Sequence, residues 1–263
     1  MFSYFTATIV LIFLGYAVIS PLLLWITPLN AIDRGFYRFN LGLCCIIGAL
    51  GIISYHFIAK SLSLEIYLLI WLLLMMFITA MNWNSRTINN YIISAISVIG
   101  CIIIAKIIPS IVPSINPTGA LIVTLLNSII TAAVFFSMIL GHWYLNIVAL
   151  PIRLLKRSII VFSLFLSIRI LWDSIYFVMN NYIDNYGMSY NLWSFMFQFD
   201  GFLLGIAFVI GNLFPIVLNV LIWRTIKLQA TQSATGLLYV SVVSILFSDL
   251  ILKYYLLEYG FIV

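Results

Sequence analysis

Apolar runs of about twenty residues, broken only by short polar stretches, fill this chain from end to end. A helix rising about 1.5 Å per residue needs roughly that length to cross about 30 Å of hydrocarbon. Eight runs qualify, at approximately 3–27, 39–59, 64–82, 89–111, 118–143, 158–180, 201–223 and 236–258. With their loops they use nearly all of the 263 residues, so 1–263 reads as a single transmembrane domain. Backbone groups in lipid must be satisfied within each segment, which selects helices. A β-barrel would instead show alternating segments of about ten residues. The predicted class is all-α: a polytopic integral membrane bundle of eight transmembrane helices.

Composition excludes a water-soluble fold. Hydrophobic residues make up 65% of the chain and charged ones 7%, with a mean hydropathy of +1.21. Soluble domains carry about 25% charged residues. A net charge of +5 and a pI near 9.1 would suggest nucleic acid in a soluble protein. Here the basic residues collect in loops that set orientation, and no nucleic-acid partner is expected. Cys44, Cys45 and Cys101 lie inside apolar runs without metal-ligand spacing and read as small hydrophobes. The first residues lack a positive n-region, so the first run reads as a retained helix.

Odd-numbered loops hold Arg34, Arg38, Arg86, Arg153, Lys156, Arg157, Arg224 and Lys227. Even-numbered loops and the C-terminus, with the span ends beside them, hold only Lys60, Lys106 and Lys253, together with Glu65, Asp184, Asp200 and Glu258. That asymmetry places the odd loops in the cytoplasm and both termini on the non-cytoplasmic side. Trp25, Trp83, Trp143 and Trp223 fall at the same inner ends, where amphipathic rings favour the interface. The expected location is a cytoplasmic membrane of bacterial type. Residues 181–200 are crowded with aromatics, predicting a loop and a short interfacial helix that anchors the chain or docks other membrane subunits.

Arg169 stands near the middle of the sixth run, at a depth where an unpaired charge costs several kcal/mol. Asp173 follows four residues later on the same helical face, and Asp249 and Lys253 repeat that spacing in the last run. If the sixth and eighth spans adjoin, Arg169 can bridge Asp173 and Asp249. The cluster then reads as a structural ion group, an anion or headgroup site, or a stage in a proton path. Lys253, nearer the outer surface, is expected to snorkel there. Asn127, Asn212 and Asn219 are intramembrane amides suited to helix–helix hydrogen bonds. Pro215 should kink the seventh span and free carbonyls for Asn212. Gln229, Thr231, Gln232, Ser233 and Thr235 make a polar start to the last span, suited to capping.

His142 belongs to a polar-aromatic phrase, Gly141-His142-Trp143-Tyr144-Leu145-Asn146, followed by basic residues. It could hold a quinone head or an acidic lipid headgroup, or simply form part of an aromatic belt. His56 belongs to the outer end of the second span, so a haem shared by both histidines is disfavoured across about 30 Å of hydrocarbon. No haem attachment sequence, nucleotide loop, Ser-His-Asp order or metalloprotease motif is visible.

These residues support three readings. The first is an accessory membrane subunit of an energy-converting or electron-transfer complex, without its own haem or resident cofactor, contributing a quinone or lipid pocket or a proton path. The second is a standalone transporter of a small anionic or amphipathic solute, with Arg169 as counter-ion. A lipid-modifying enzyme ranks last, because no nucleophile, base and metal set is assembled. The orientation is directly testable. A reporter active only outside the cytoplasm, fused after Val263, should give signal, and signal from a cytosol-only reporter would reverse the assignment.

Overall fold

A computed structural model describes residues 2–28, 31–58, 61–84, 89–112, 116–147, 150–183 and 187–263. Lys60, Arg86 and Asp184, which enter the orientation reading above, lie outside these residues. Eight helical segments are long and apolar enough to span a membrane. They are α1 (Phe2–Ile19) with a following 3-10 segment (Ser20–Ile26), α2 (Arg34–His56), α3 (Leu62–Asn82), α4 (Asn90–Ile111), α5 (Pro117–Asn146) and α6 (Arg153–Met179). After a β-ribbon come the short α7 (Leu192–Phe195), then α8 (Phe202–Phe208), a π-turn (Val209–Leu213), α9 (Phe214–Lys227) and α10 (Thr231–Glu258). The unit α8–π–α9 is the seventh span.

Local chemistry sets several helix starts. Asp33 accepts from Gly35 N–H at 2.9 Å, Asn89 from Tyr91 N–H at 3.0 Å and Asn116 from Gly119 N–H at 3.0 Å. Each satisfies a donor that the first helical turn leaves without a partner. Asn116 is followed by Pro117 at the first helical position, where a missing N–H costs nothing. The last span departs from expectation. Its cap residue is Ala230, which supplies no side-chain bond, and Gln229 turns the chain with φ at 57°.

Charged residues expected in loops instead begin or end helices. Arg153, Lys156 and Arg157 form the first turns of α6, and Arg224 and Lys227 lie in the last turn of α9. Pro21 converts the end of the first span to 3-10 geometry, and Pro109 sits inside α4 near its end. Both lie inside apolar runs that continue through them.

The bundle is layered around α1, α5 and α10. In their apolar windows 72%, 67% and 56% of residues are buried, against 28% for α3 and 33% for α6. Small residues allow this close approach: a Cβ at Gly15 would lie 2.1 Å from Ser128 Oγ, and one at Gly51 would lie 2.8 Å from Leu14 Cδ2. A Cβ at Gly48 would lie 3.3–3.4 Å from Trp71, Ala17 and Leu72. Lipid-type packing of this kind rests on van der Waals fit rather than on expulsion of water.

Between α6 and α8 the chain forms more than the predicted loop and helix. Asn181–Ile183 pairs antiparallel with Ser189–Asn191, and Asn191 then caps α7 by accepting from Trp193 N–H at 2.8 Å. The aromatics divide by role. Tyr182 and Phe195 pack with Tyr255, Tyr259 and Phe261 in one cluster, at centroid separations of 4.8–6.5 Å. The Tyr255 hydroxyl donates to the Asp200 carbonyl. Trp193, Phe197, Phe199 and Phe202 point outward. Gly260, at φ 73°, turns residues 261–263 back so that Trp172 Nε1–H donates to the Ile262 carbonyl at 2.8 Å. Gly201 and Gly205 both lie against this cap, at Phe195 and Met196. A Cβ on Gly201 would lie 2.0 Å from the Phe195 carbonyl oxygen.

Gly211 makes the tightest glycine contact in the bundle. A Cβ there would lie 1.8 Å from Ser248 Cβ on α10. Gly211→Ala should therefore lower stability by about 1–3 kcal/mol through overpacking, read as a reduced melting temperature in mild detergent. Gly42→Ala, where nothing lies within 4 Å, should leave it unchanged or raised.

Candidate functional site

Three spans and the π-turn meet in a small polar chamber inside the apolar bundle. Asn127 and Thr131 come from α5, Arg169 from α6, Gly211 and Asn212 from the π-turn, and Ser248 and Asp249 from α10. Each lies well inside its helix, far from either end. α6 exposes most of its surface, yet Arg169 and Asp173 are only 1% and 0% exposed. Their four-residue spacing turns both toward the interior.

Arg169 donates from Nε to Asp173 Oδ2 at 2.9 Å. Asn212 Nδ2 donates to the same oxygen at 2.6 Å. On the facing helix, Lys253 Nζ reaches both oxygens of Asp249 at 2.6 Å, and Thr131 Oγ1 donates to Asp249 Oδ2 at 3.1 Å. The two cations thus balance the two carboxylates inside the bundle. Isolated, each ion would cost several kcal/mol in a medium of low polarity, and pairing within each helix offsets part of that cost.

Arg169 and Asp249 face the same chamber without forming an ion pair with each other. The bridging geometry expected for Arg169 is replaced by two parallel pairs, because Lys253 claims both oxygens of Asp249. Lys253 itself does not snorkel. It is 1% exposed and folds back along α10. Asn212 also differs from expectation: its amide serves Asp173 rather than a carbonyl released by Pro215. The π-turn lies just before Pro215, whose ring cannot donate and crowds the Gly211 carbonyl one turn back. Ser248 donates to the Ala207 carbonyl at 2.9 Å, tying α10 to the segment that enters this turn.

Three polar atoms of the cluster have no hydrogen-bond partner among the described residues: Arg169 Nη1, Arg169 Nη2 and Asp173 Oδ1. The chamber offers about 10 Å³ of free volume. That is the scale of one water molecule and far below that of a solute. Chemically, the arrangement can position a single small polar molecule between a guanidinium and a hydroxyl-bound carboxylate.

His142 takes no part in this chamber. It is exposed near the end of α5, while its neighbours do structural work. Trp143 packs edge-on to Phe36 at 5.6 Å, and the Tyr144 hydroxyl donates to the Pro151 carbonyl. His56 lies in the last turn of α2 and contacts Glu65 of α3 through Nδ1 at 2.6 Å. No group of three His, Cys, Asp or Glu side chains with metal-site geometry occurs among the described residues.

Sequence reasoning missed Thr131, Ser248 and Gly211. Thr131 stands one helical turn after Asn127, a signal that was available in the spacing. Ser241, Ser244 and Ser248 mark a polar stripe on α10 at intervals of three and four that ends at the residue before Asp249. No known protein family, curated protein or solved structure matches the chain.

Removing one member of a buried pair should cost about 3–5 kcal/mol, because its partner is left uncompensated. Asp173→Leu should therefore sharply lower the detergent-denaturation midpoint. Arg169→Leu/Asp173→Leu should recover most of the loss. Equal damage in the double variant would show that the pair does not act as a unit.

Proposed function

We propose that this integral membrane protein handles protons within a larger energy-converting or electron-transfer assembly, as a membrane subunit without a redox centre of its own. The observation that supports this most is the chamber of about 10 Å³ lying between Arg169 and Asp249, with both terminal nitrogens of Arg169 unsatisfied. Its size suits one bridging water, which needs two to four polar partners and is a normal link in a proton relay. Asp249 is the group that exchanges the proton, with Thr131 holding its orientation and Lys253 compensating its charge. Arg169, Asp173 and Asn212 hold the positive side of the chamber in place. The outward aromatics Trp193, Phe197 and Phe199 provide a surface for neighbouring membrane subunits.

A second reading is a carrier of small anions. It is favoured by the π-turn and Pro215 beside Asn212, since a broken helix next to a charge site is a common hinge arrangement in transporters. The chamber as it stands does not accommodate a solute, which ranks this reading second.

Reconstituted vesicles carrying a potassium diffusion potential and an internal pH dye distinguish the two. Protein-dependent acidification should appear without added solute, and Asp249→Asn/Lys253→Gln, which leaves no uncompensated charge, should reduce it about tenfold or more. Flux equal to protein-free vesicles, or flux that requires an added anion, would overturn the proton reading. Mass measurement after mild-detergent extraction tests the assembly reading separately. A lone chain or homo-oligomer would overturn it.

A further inference from the structure

A second polar feature lies on the lipid-facing side of the bundle. α6 and α9 enclose an open groove of about 600 Å³ that runs from the middle of the bundle to the end where α6 begins and α9 finishes. Its walls are mainly aliphatic, from Ile160 and Leu164 on one side and Ile216 and Val220 on the other. At its mouth stand Trp223, Arg224 and Lys227. Arg224 and Lys227 are exposed and have no carboxylate partner among the described residues. Arg153, Lys156 and Arg157 open α6 at the same end. The four odd-numbered loops contain one acidic residue, Asp33, which is engaged as the cap of α2.

Asn219 lines the groove and is 7% exposed, yet neither its Oδ1 nor its Nδ2 has a hydrogen-bond partner among the described residues. An amide buried in this way carries a desolvation penalty, and a polar ligand group removes it. Asn219 lies five residues from Arg224, or about 7.5 Å along the helix axis at about 1.5 Å per residue. Asn219 thus lies deeper than Arg224, the order in which ester carbonyls and phosphate follow one another in a phospholipid. Apolar walls, a buried amide below the mouth and unpaired cations at the mouth form one graded sequence of environments.

We propose that the α6–α9 groove is a binding site for an anionic phospholipid. Arg224 and Lys227 take its phosphate, Asn219 donates to an ester carbonyl, and an acyl chain lies along Ile160, Leu164, Ile216 and Val220. Trp223 sits at the headgroup boundary, where its ring is favoured. A free inorganic anion would use only the mouth and leave the apolar length of the groove without a role.

Native mass spectrometry and thermal unfolding of the detergent-purified chain test the site with three probes: phosphatidylglycerol, phosphatidylcholine and inorganic phosphate. Two cations near a headgroup predict a preference for phosphatidylglycerol over phosphatidylcholine of about thirtyfold. Arg224→Gln/Lys227→Gln should bring the two lipids close to parity. Arg34→Gln/Arg38→Gln removes the same charge outside the groove and should keep the preference. Val220→Trp fills the groove and should weaken retention of both lipids. Asn219→Leu should melt higher without lipid and gain less from phosphatidylglycerol. Unchanged lipid preference in Arg224→Gln/Lys227→Gln would overturn the site. So would stabilisation by inorganic phosphate that matches phosphatidylglycerol and survives Val220→Trp, which would identify a free-anion site.

Discussion

Charge neutrality inside a low-polarity bundle is the constraint on which the centre of this protein rests. Two cations and two carboxylates are almost wholly buried, and each finds its counter-ion four residues away on its own helix. Such pairing is robust because α-helical geometry alone brings the partners together. Contacts between helices can then be made by neutral groups, Asn212 to Asp173 and Thr131 to Asp249. Direct charge pairing across helices would instead have made the stability of each ion depend on exact helix placement. The chamber between the two pairs therefore keeps its polar lining without placing an uncompensated charge beside lipid.

The eight spans were legible because hydrocarbon thickness sets their length and leaves little freedom in composition. Buried charges were legible for the same reason: Arg169, Asp173 and Asp249 interrupt runs where almost nothing polar is tolerated. Pairing partners were harder to read. Lys253 looked near enough to the surface to reach it, and only the packing of α10 against α5 and α8 shows that its side chain has no outward path. The π-turn left a trace in Pro215, but the residue that places it, Gly211, looks in sequence like any other small residue in an apolar span. His142 stands apart from the chamber, in a chemically rich phrase whose Trp143 and Tyr144 are engaged in packing and in holding Pro151. The ribbon at 181–191 escaped notice because three-residue strands give too little alternation to stand out from an aromatic loop.

Lipid and protein share the surface of this bundle in an uneven way. α3 and α6 are the least buried spans, and most of their outward residues are aliphatic. α6 nonetheless carries the Arg169–Asp173 pair on one face and a wall of the Asn219 groove on another. It is a thin partition with an ionic interior side and a lipid-facing exterior side. Serine appears on both, at Ser158 within the core and at Ser163 and Ser167 along the groove.

The contact between Gly211 and Ser248 has a mechanical consequence. Ser248 is the residue immediately before Asp249, and it is also hydrogen-bonded to the segment leading into the π-turn. With no Cβ on Gly211, its backbone rests directly on the serine side chain, and rewinding that wide turn into regular helix would shift Gly211 against it. The displacement would pass straight to the neighbouring aspartate. Helix register in the seventh span and carboxylate position in the eighth are thus geared to one another, as two teeth in mesh.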